Sequence, residues 1–357
     1  MIDAAAFAAL VCDYCLEVRR GQQVVVRSTT LASPFLLALH RALLEREAWP
    51  LLRVALPGQD EGFWAAARAA QVDAFAPLEL VEAESTDASV TIHAPENTRA
   101  LSGVDPALMT RALRARAPVR EAALARRWCS SLWPTPALAQ DAGMSVADFA
   151  AFVERALFLD RDDPMAAWSE LRDSQSRLIE RLAACSELRI EGAGTDLVVG
   201  VAGRTWINSD GRRNMPSGEV YTGPVSASGV VRFDIPSSPR GVEVAGVTLE
   251  LRDGVVVSAH AERGDAVLQA MLATDDGARR LGEIGIGTNF GIDRAVGMTL
   301  LDEKIGGTVH LALGRAYPET GGTNRSAIHW DLICDLRDAG RLSANGETVL
   351  QDGRFVS

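Results

Sequence analysis

The sequence predicts an α/β N-terminal domain with parallel βαβ units, joined to an α+β C-terminal domain. Two observations predict this. Strand-like and helix-like patterns alternate through the first half, and alternation of that kind argues for parallel units. From Ser186 the texture changes to short strands separated by turn residues, which argues for antiparallel hairpins. The expected domains are 1–185 and 186–357.

The elements follow in order. Residues 3–19 read as a helix, Gln22 to Ser28 as a strand, and 33–47 as an Ala/Leu-rich helix. Leu51 to Leu56 and Ala88 to His93 read as strands. Helical patterns cover 105–127, 146–158 and 162–184. Then LRIEG, TDLVVGVAG, RTWINSDG, GVVRFDI and VTLELRDGVVVSAHAE read as short strands, with turns at Ser209-Asp210-Gly211 and Asp253-Gly254. Helices are expected again at 264–274 and 308–317, and SAIHWDLI reads as a strand. There is no internal repeat.

Composition sets limits on function. The chain has 357 residues, enough for a sizeable core in each of two domains. Hydrophobic content of 47% and charged content of 23% are ordinary for a globular protein. A net charge of −11 argues against nucleic acid or an anionic membrane as partner. No apolar run is long enough to span a bilayer, and MIDAAAFAALVCDYCLEVRR reads as an amphipathic helix rather than a signal peptide. Five cysteines without regular spacing argue against a disulfide framework and for the cytoplasm. Cys12 and Cys15 spell C-x-x-C, but inside a helical pattern and with no second pair, so they are read as structural. His40, His93 and His260 are also read as structural, the first two in the core or at an interface.

The candidate chemistry lies in the second half. His329 and Asp331 form an H-x-D pair on a strand, so imidazole and carboxylate point to one face, as metal ligation needs. Glu303, His310 and Tyr317 follow one another at intervals of seven residues, close to two helical turns. Gly306 and Gly307 argue against one unbroken helix, so Glu303 is placed on a loop or strand end, and Thr308 caps a helix from about Val309 to Ala316. Glu219 in NMPSGEVYTGP and Glu283 in RRLGEIGIGTNFGI are carboxylates framed by glycine and apolar residues. Each is either a ligand or the buried partner of an arginine. The glycine run after Glu283 has the wrong spacing for a dinucleotide fingerprint and reads as tight backbone around the carboxylate.

The segments PSGEVYTGP, LGEIGIGTN, LLDEKIGGTVHLALGRAY and SAIHWDLI resemble the M29 metallopeptidases, the aminopeptidase T or thermophilic aminopeptidase group. WPTPALAQDAGMSVADFAAFVERALFLD resembles that family's middle region, so the likeness covers nearly the whole chain. The resemblance implies a metal-binding catalytic C-terminal domain holding two divalent ions (Zn, Co, Mn or Mg). Its implied ligands are Glu219, Glu283, Glu303, His310, Tyr317, His329 and Asp331, with Glu283 bridging the ions. Glu283, Glu219 and Tyr317 are the implied catalytic residues. One departure concerns Glu303. Many members read D-E-N with five residues from glutamate to histidine, whereas Asp302-Glu303-Lys304 stands seven before His310. The resemblance further implies a homodimer that takes peptides with a free N-terminus.

The chemistry of the set is coherent. Four carboxylates repel one another unless cations offset them, and two divalent ions supply the matching charge and a Lewis acid. Two other readings compete. His310, His329 and Asp331 alone make a facial triad for a mononuclear iron ring-cleaving dioxygenase. A catalytically dead binding protein on the same scaffold is the third. Glu219, Glu283 and Glu303 favour the peptidase, because an iron triad does not need them.

Overall fold

The structure is a computed structural model and describes residues 2–356. The chain forms two compact units. One takes the residues up to Met165 together with Gly211–Pro216, and the other takes Ala166–Asp210 and Ser217 onward.

The first unit is built on a four-stranded parallel sheet of β1 (Gln23–Thr29), β2 (Trp49–Ala55), β3 (Ala88–His93) and β4 (Arg127–Leu132), in the order β2-β1-β3-β4. Helix Ala4–Leu10 starts at Asp3, whose carboxylate accepts the Ala5 and Ala6 N–H groups. The helical pattern expected over 3–19 ends early, because Val11–Cys15 widens into a π turn that buries Cys12 and Cys15. Helix Ser33–Glu45 buries Phe35, Leu36, Leu39, Ala42 and Leu43, one stripe at helical spacing. The expected helix over 105–127 is two helices, Pro106–Ala115 and Ala117–Leu124, followed by β4. Pro118 restarts the helix, and RWCSSL is too polar to announce a strand.

The second unit begins with helix Pro164–Ala183, most of which groups with this unit. Its strands are β5 (Glu187–Gly192), β6 (Thr195–Gly200), β7 (Ile207–Ser209), β8 (Glu219–Thr222), β9 (Ser226–Phe233), β10 (Ala245–Arg252) and β11 (Val255–Arg263). Helix Asp265–Leu272 follows, then β12 (Leu281–Gly287), β13 (Thr308–Gly314), β14 (His329–Asp335), β15 (Arg341–Ala344), β16 (Glu347–Gln351) and β17 (Arg354–Phe355). They form two antiparallel sheets, β11-β10-β9-β6-β5-β15-β16-β17 and β14-β13-β12-β8-β7. A single apolar core takes Leu188, Ile190, Val231 and Leu249 from the larger sheet and Ile284, Leu311 and Leu332 from the smaller.

One expectation fails here. The segment 308–317 is not a helix. Thr308–Gly314 is β13, hydrogen-bonded on both sides by β12 and β14, and buried throughout. A strand covered on both faces reads as a continuous apolar run, and neighbouring strands override the weak helical spacing. Gly314 then turns the chain at φ +97°, so Tyr317 lies beyond the strand. Gly285 and Gly287, after Glu283, lie in strand β12, where His310 and the Ile305 carbonyl pack too close for a Cβ, the tight backbone expected there.

Candidate metal centre

The smaller sheet gives one face to the core and the other to the candidate ligands. Val220, Ile284, Ile286, Val309, Leu311, Leu313, Trp330 and Leu332 point into the core. Strand alternation therefore sends Glu219, His310, His329 and Asp331 to the opposite face. Glu283 needs a further device, because Leu281, two residues earlier, is in the core. A bulge supplies it. Leu281 pairs with Leu313 but Glu283 pairs with Ala312, leaving Gly282 as the extra residue. The bulge turns Glu283 out of the core and onto the ligand face. Gly282 is needed there, since a Cβ would strike the carbonyl oxygens of Gly314 and Arg315.

The register gathers the side chains. Gly285 stands opposite His310, and a Cβ at 285 would overlap the imidazole. Glu283 Oε1 lies 3.3 Å from His310 Nε2, and Glu283 Oε2 lies 3.6 Å from His329 Nε2. His329 Nε2 is 3.5 Å from Asp331 Oδ1, and Glu219 Oε2 is 3.4 Å from His310 Nε2. One carboxylate thus sits between two imidazoles. Glu219, Glu283 and His310 offer ligand atoms within 4.8 Å of one another. The backbone carbonyl of Arg315 fixes His329 through Nδ1 at 2.7 Å and leaves Nε2 toward the carboxylates.

Glu303 and Tyr317 are placed differently. Glu303 follows the short helix Thr299–Asp302 and contacts the Lys304 ammonium. Lys304 Nζ also lies 3.4 Å from Glu219 Oε1 and is fully buried. Glu303 thus meets the other carboxylates through a lysine. Tyr317 lies beside His329, ring centres 5.0 Å apart.

Sequence reasoning missed the supports. Asp302 accepts the Val296 and Gly297 N–H groups at 2.8 Å each and so anchors the loop that carries Glu303 and Lys304. Gln175, buried on helix Pro164–Ala183, donates to the Glu219 carbonyl. Asn289 donates to the Ser217 carbonyl at 2.8 Å, two residues before Glu219. The one signal available was Lys304 itself, a lysine directly after two acidic residues and close before a glycine pair. The histidines read as structural are not among the clustered ligands. His260 is exposed, 3.5 Å from Asp265. His40 is half-buried on its helix, and His93 is at the end of β3 with much of its surface open rather than in the core.

Burial opposes charge on every group of the cluster, and the neighbours decide the outcome. At His310 the Glu283 hydrogen bond and the charges of Glu219, Glu283 and Asp331 outweigh burial and push the imidazole up to about 10. His329 rises to about 9, chiefly through Asp331 beside it. Glu219 and Glu303 hold Lys304 above its ordinary value. Burial raises Glu283 against the pull of His310, and raises Glu303 to about 8 against the pull of Lys304. Asp331 stays low despite burial because His329, His310 and Lys304 face it. Without metal, then, protons hold the cluster together.

The donor set fits a divalent cation. Glu219 Oε2, Glu283 Oε2 and Asp331 Oδ1 are buried and accept no hydrogen bond. Burying such atoms is costly unless something positive meets them. Carboxylate oxygen with imidazole nitrogen is a set for Zn, Co or Mn, and for Mg where oxygen dominates.

Comparison with known proteins agrees. The sequence profile of the thermophilic metalloproteases (M29) matches residues 3–355. The chain is 31% identical to Aminopeptidase 2 of Geobacillus stearothermophilus, over 98% of this chain and 94% of that protein. It is 33% identical to Aminopeptidase T of Thermus thermophilus, over 55% of this chain and 56% of that protein. The solved structure of wild-type AmpT from Thermus thermophilus superposes with a TM-score of 0.84 at 26% identity, covering 99% of each chain. With its profile matched from end to end, the chain belongs to the M29 family of metallopeptidases.

Proposed function

We infer that this protein is a metal-dependent aminopeptidase, a hydrolase that releases the first residue from peptides with a free N-terminus. The observation that carries the reading is Glu283 between His310 and His329, among buried carboxylate oxygens that accept no hydrogen bond. The relatives named aminopeptidases support it.

Two divalent ions are the arrangement this geometry favours. Glu219, Glu283 and His310 would hold one, and Glu283, His329 and Asp331 the other, with Tyr317 alongside. Bound there, they would supply Lewis acidity toward a peptide carbonyl and acidify water. The protein's own groups do the rest. The carboxylates attract the substrate's amine. Burial and the charges of Glu283 and Asp331 raise Tyr317 above its ordinary value, so its hydroxyl keeps its proton and can donate to the carbonyl oxygen. Glu303 acts as the partner of Lys304, which limits the excess negative charge. The dioxygenase reading leaves Glu219 and the bulge at Gly282 without a role.

A homodimer in the cytoplasm completes the reading. An exopeptidase needs a restricted cavity, and subunit interfaces form such cavities. All five cysteines are free and buried, as suits a reducing compartment. Among the described residues no helix is long and apolar enough to cross a membrane.

The test uses metal-loaded protein, a short peptide and its N-acetylated form. Release of the first residue without oxygen, blocked by acetylation and by chelation, is the expected result. Inert peptides at every metal tried would sink the reading. Elemental analysis giving one ion per chain at saturation would remove the two-ion version alone.

A further inference from the structure

One face of the parallel sheet in the first unit carries polar groups that the fold does not need. Parallel strands covered on both faces are ordinarily near-continuous apolar runs. Here β3 alternates instead, and the apolar run Val24–Val26 of β1 gives way to Arg27. Val24, Val26, Ala88, Val90 and Ile92 are buried on one face, while Arg27, Ser89, Thr91 and His93 occupy the other. The register places Arg53, Arg27, Thr91 and Ser130 side by side, one from each strand. At a strand spacing of about 4.8 Å, that row spans roughly 14 Å. His93 Nε2 joins it, 3.0 Å from Ser130 Oγ.

The charges in the row are unbalanced. Arginines opposite one another on neighbouring strands repel. Arg27 and Arg53 share one carboxylate, Glu82, with Arg27 Nη2 2.6 Å from Oε1 and Arg53 on the other oxygen. Arg116 and Arg120 line the same cavity, which holds only one further acid, Glu79. Four guanidinium groups thus face two carboxylates, in a chain whose net charge is −11. The cavity measures about 740 Å³, within the range of small-molecule sites. Trp128, Val119 and Leu124 give it an apolar wall.

We propose that this cavity binds a small organic anion. Its carboxylate or phosphate head is held by the Arg27–Arg53 pair and the Thr91 and Ser130 hydroxyls, and its apolar body lies against Trp128 and Val119. Guanidinium forks match both head groups, and a neutral ligand would leave the positive excess unmet. Every residue of the site belongs to the first unit.

Calorimetric titration of full-length, metal-loaded protein tests this, with N-acetyl-leucine for the carboxylate and inorganic phosphate for the other source. N-acetyl-leucinamide is the neutral control. At least one anion is expected to saturate one site per chain, with affinity falling as salt rises. The amide gives no saturable heat. Arg53 is half exposed, so Arg53→Gln spares the fold while weakening the anion about tenfold. Arg41→Gln, on an exposed helical pair outside the cavity, changes nothing. No saturable binding of either anion, or equal losses in Arg53→Gln and Arg41→Gln, would overturn the proposal.

Discussion

Gly285 makes the room that His310 occupies. The two stand opposite each other on β12 and β13, and a methyl group at 285 would overlap the imidazole. Gly285→Ala is therefore expected to displace His310 from Glu219 and Glu283. Metal affinity should fall about 10- to 100-fold, and stability by about 1–3 kcal/mol from overpacking. Metal titration and thermal unfolding measure the two separately. Wild-type values for both would mean that the imidazole has other space to move into.

Glu283→Gln tests the carboxylate between the imidazoles. The amide is nearly the same shape but cannot balance cations. Activity should fall more than about 100-fold with the fold preserved. Metal content per chain should also drop. In Tyr317→Phe, by contrast, metal content should stay intact, because only a hydroxyl is lost. Full activity of Glu283→Gln at saturating metal would show the residue to be structural.

Lys304→Met removes the one buried ammonium of the centre. Glu219 and Glu303 then lose a fully buried counter-ion. The metal-free protein should lose about 3–5 kcal/mol, as when one partner of a buried pair is deleted. Added divalent ion should restore part of that loss. Denaturant unfolding with and without metal makes the comparison, and an unchanged midpoint in the metal-free variant would contradict it.

Stability of the metal-free protein and its affinity for metal should change with pH in opposite directions. His310 and His329 titrate near 10 and 9 in the metal-free protein, above the ordinary imidazole value of about 6.5. A raised histidine stabilises the fold fully below its unfolded value, and that contribution is lost as pH rises through the folded one. Metal-free protein should therefore lose stability between about pH 7 and pH 10. Metal uptake displaces those protons, so affinity should rise over the same range. Calorimetry in buffers of different ionisation heat counts the protons released. Release of none at pH 7 would show the imidazoles already neutral.

How far the sequence reached can be seen residue by residue. His329 and Asp331 were legible because a strand of period two fixes the side on which each residue points, whatever it packs against. The hairpins after Ser186 and the βαβ pattern before it were legible for the same reason, since periodicity and turn chemistry act locally. The family resemblance marked Glu219, Glu283 and His310 by their motifs. It said nothing about how strands would bring them together.

Tertiary structure alone decided the rest. His310 had helical spacing to Tyr317, yet pairing with β12 and β14 made its segment a strand. The direction of Glu283 depends on a one-residue bulge at Gly282, which the sequence shows only as one glycine among many. The burial of Lys304 between Glu219 and Glu303 comes from the fold, since only one of the two carboxylates is its neighbour in sequence. The physical reason is common to all three. Local pattern fixes how a residue points relative to its own strand or helix, but register, bulges and buried charge pairs are set by the neighbour across the gap. That neighbour is often distant in sequence: Glu219 and His310 meet only after the chain has passed through four further strands.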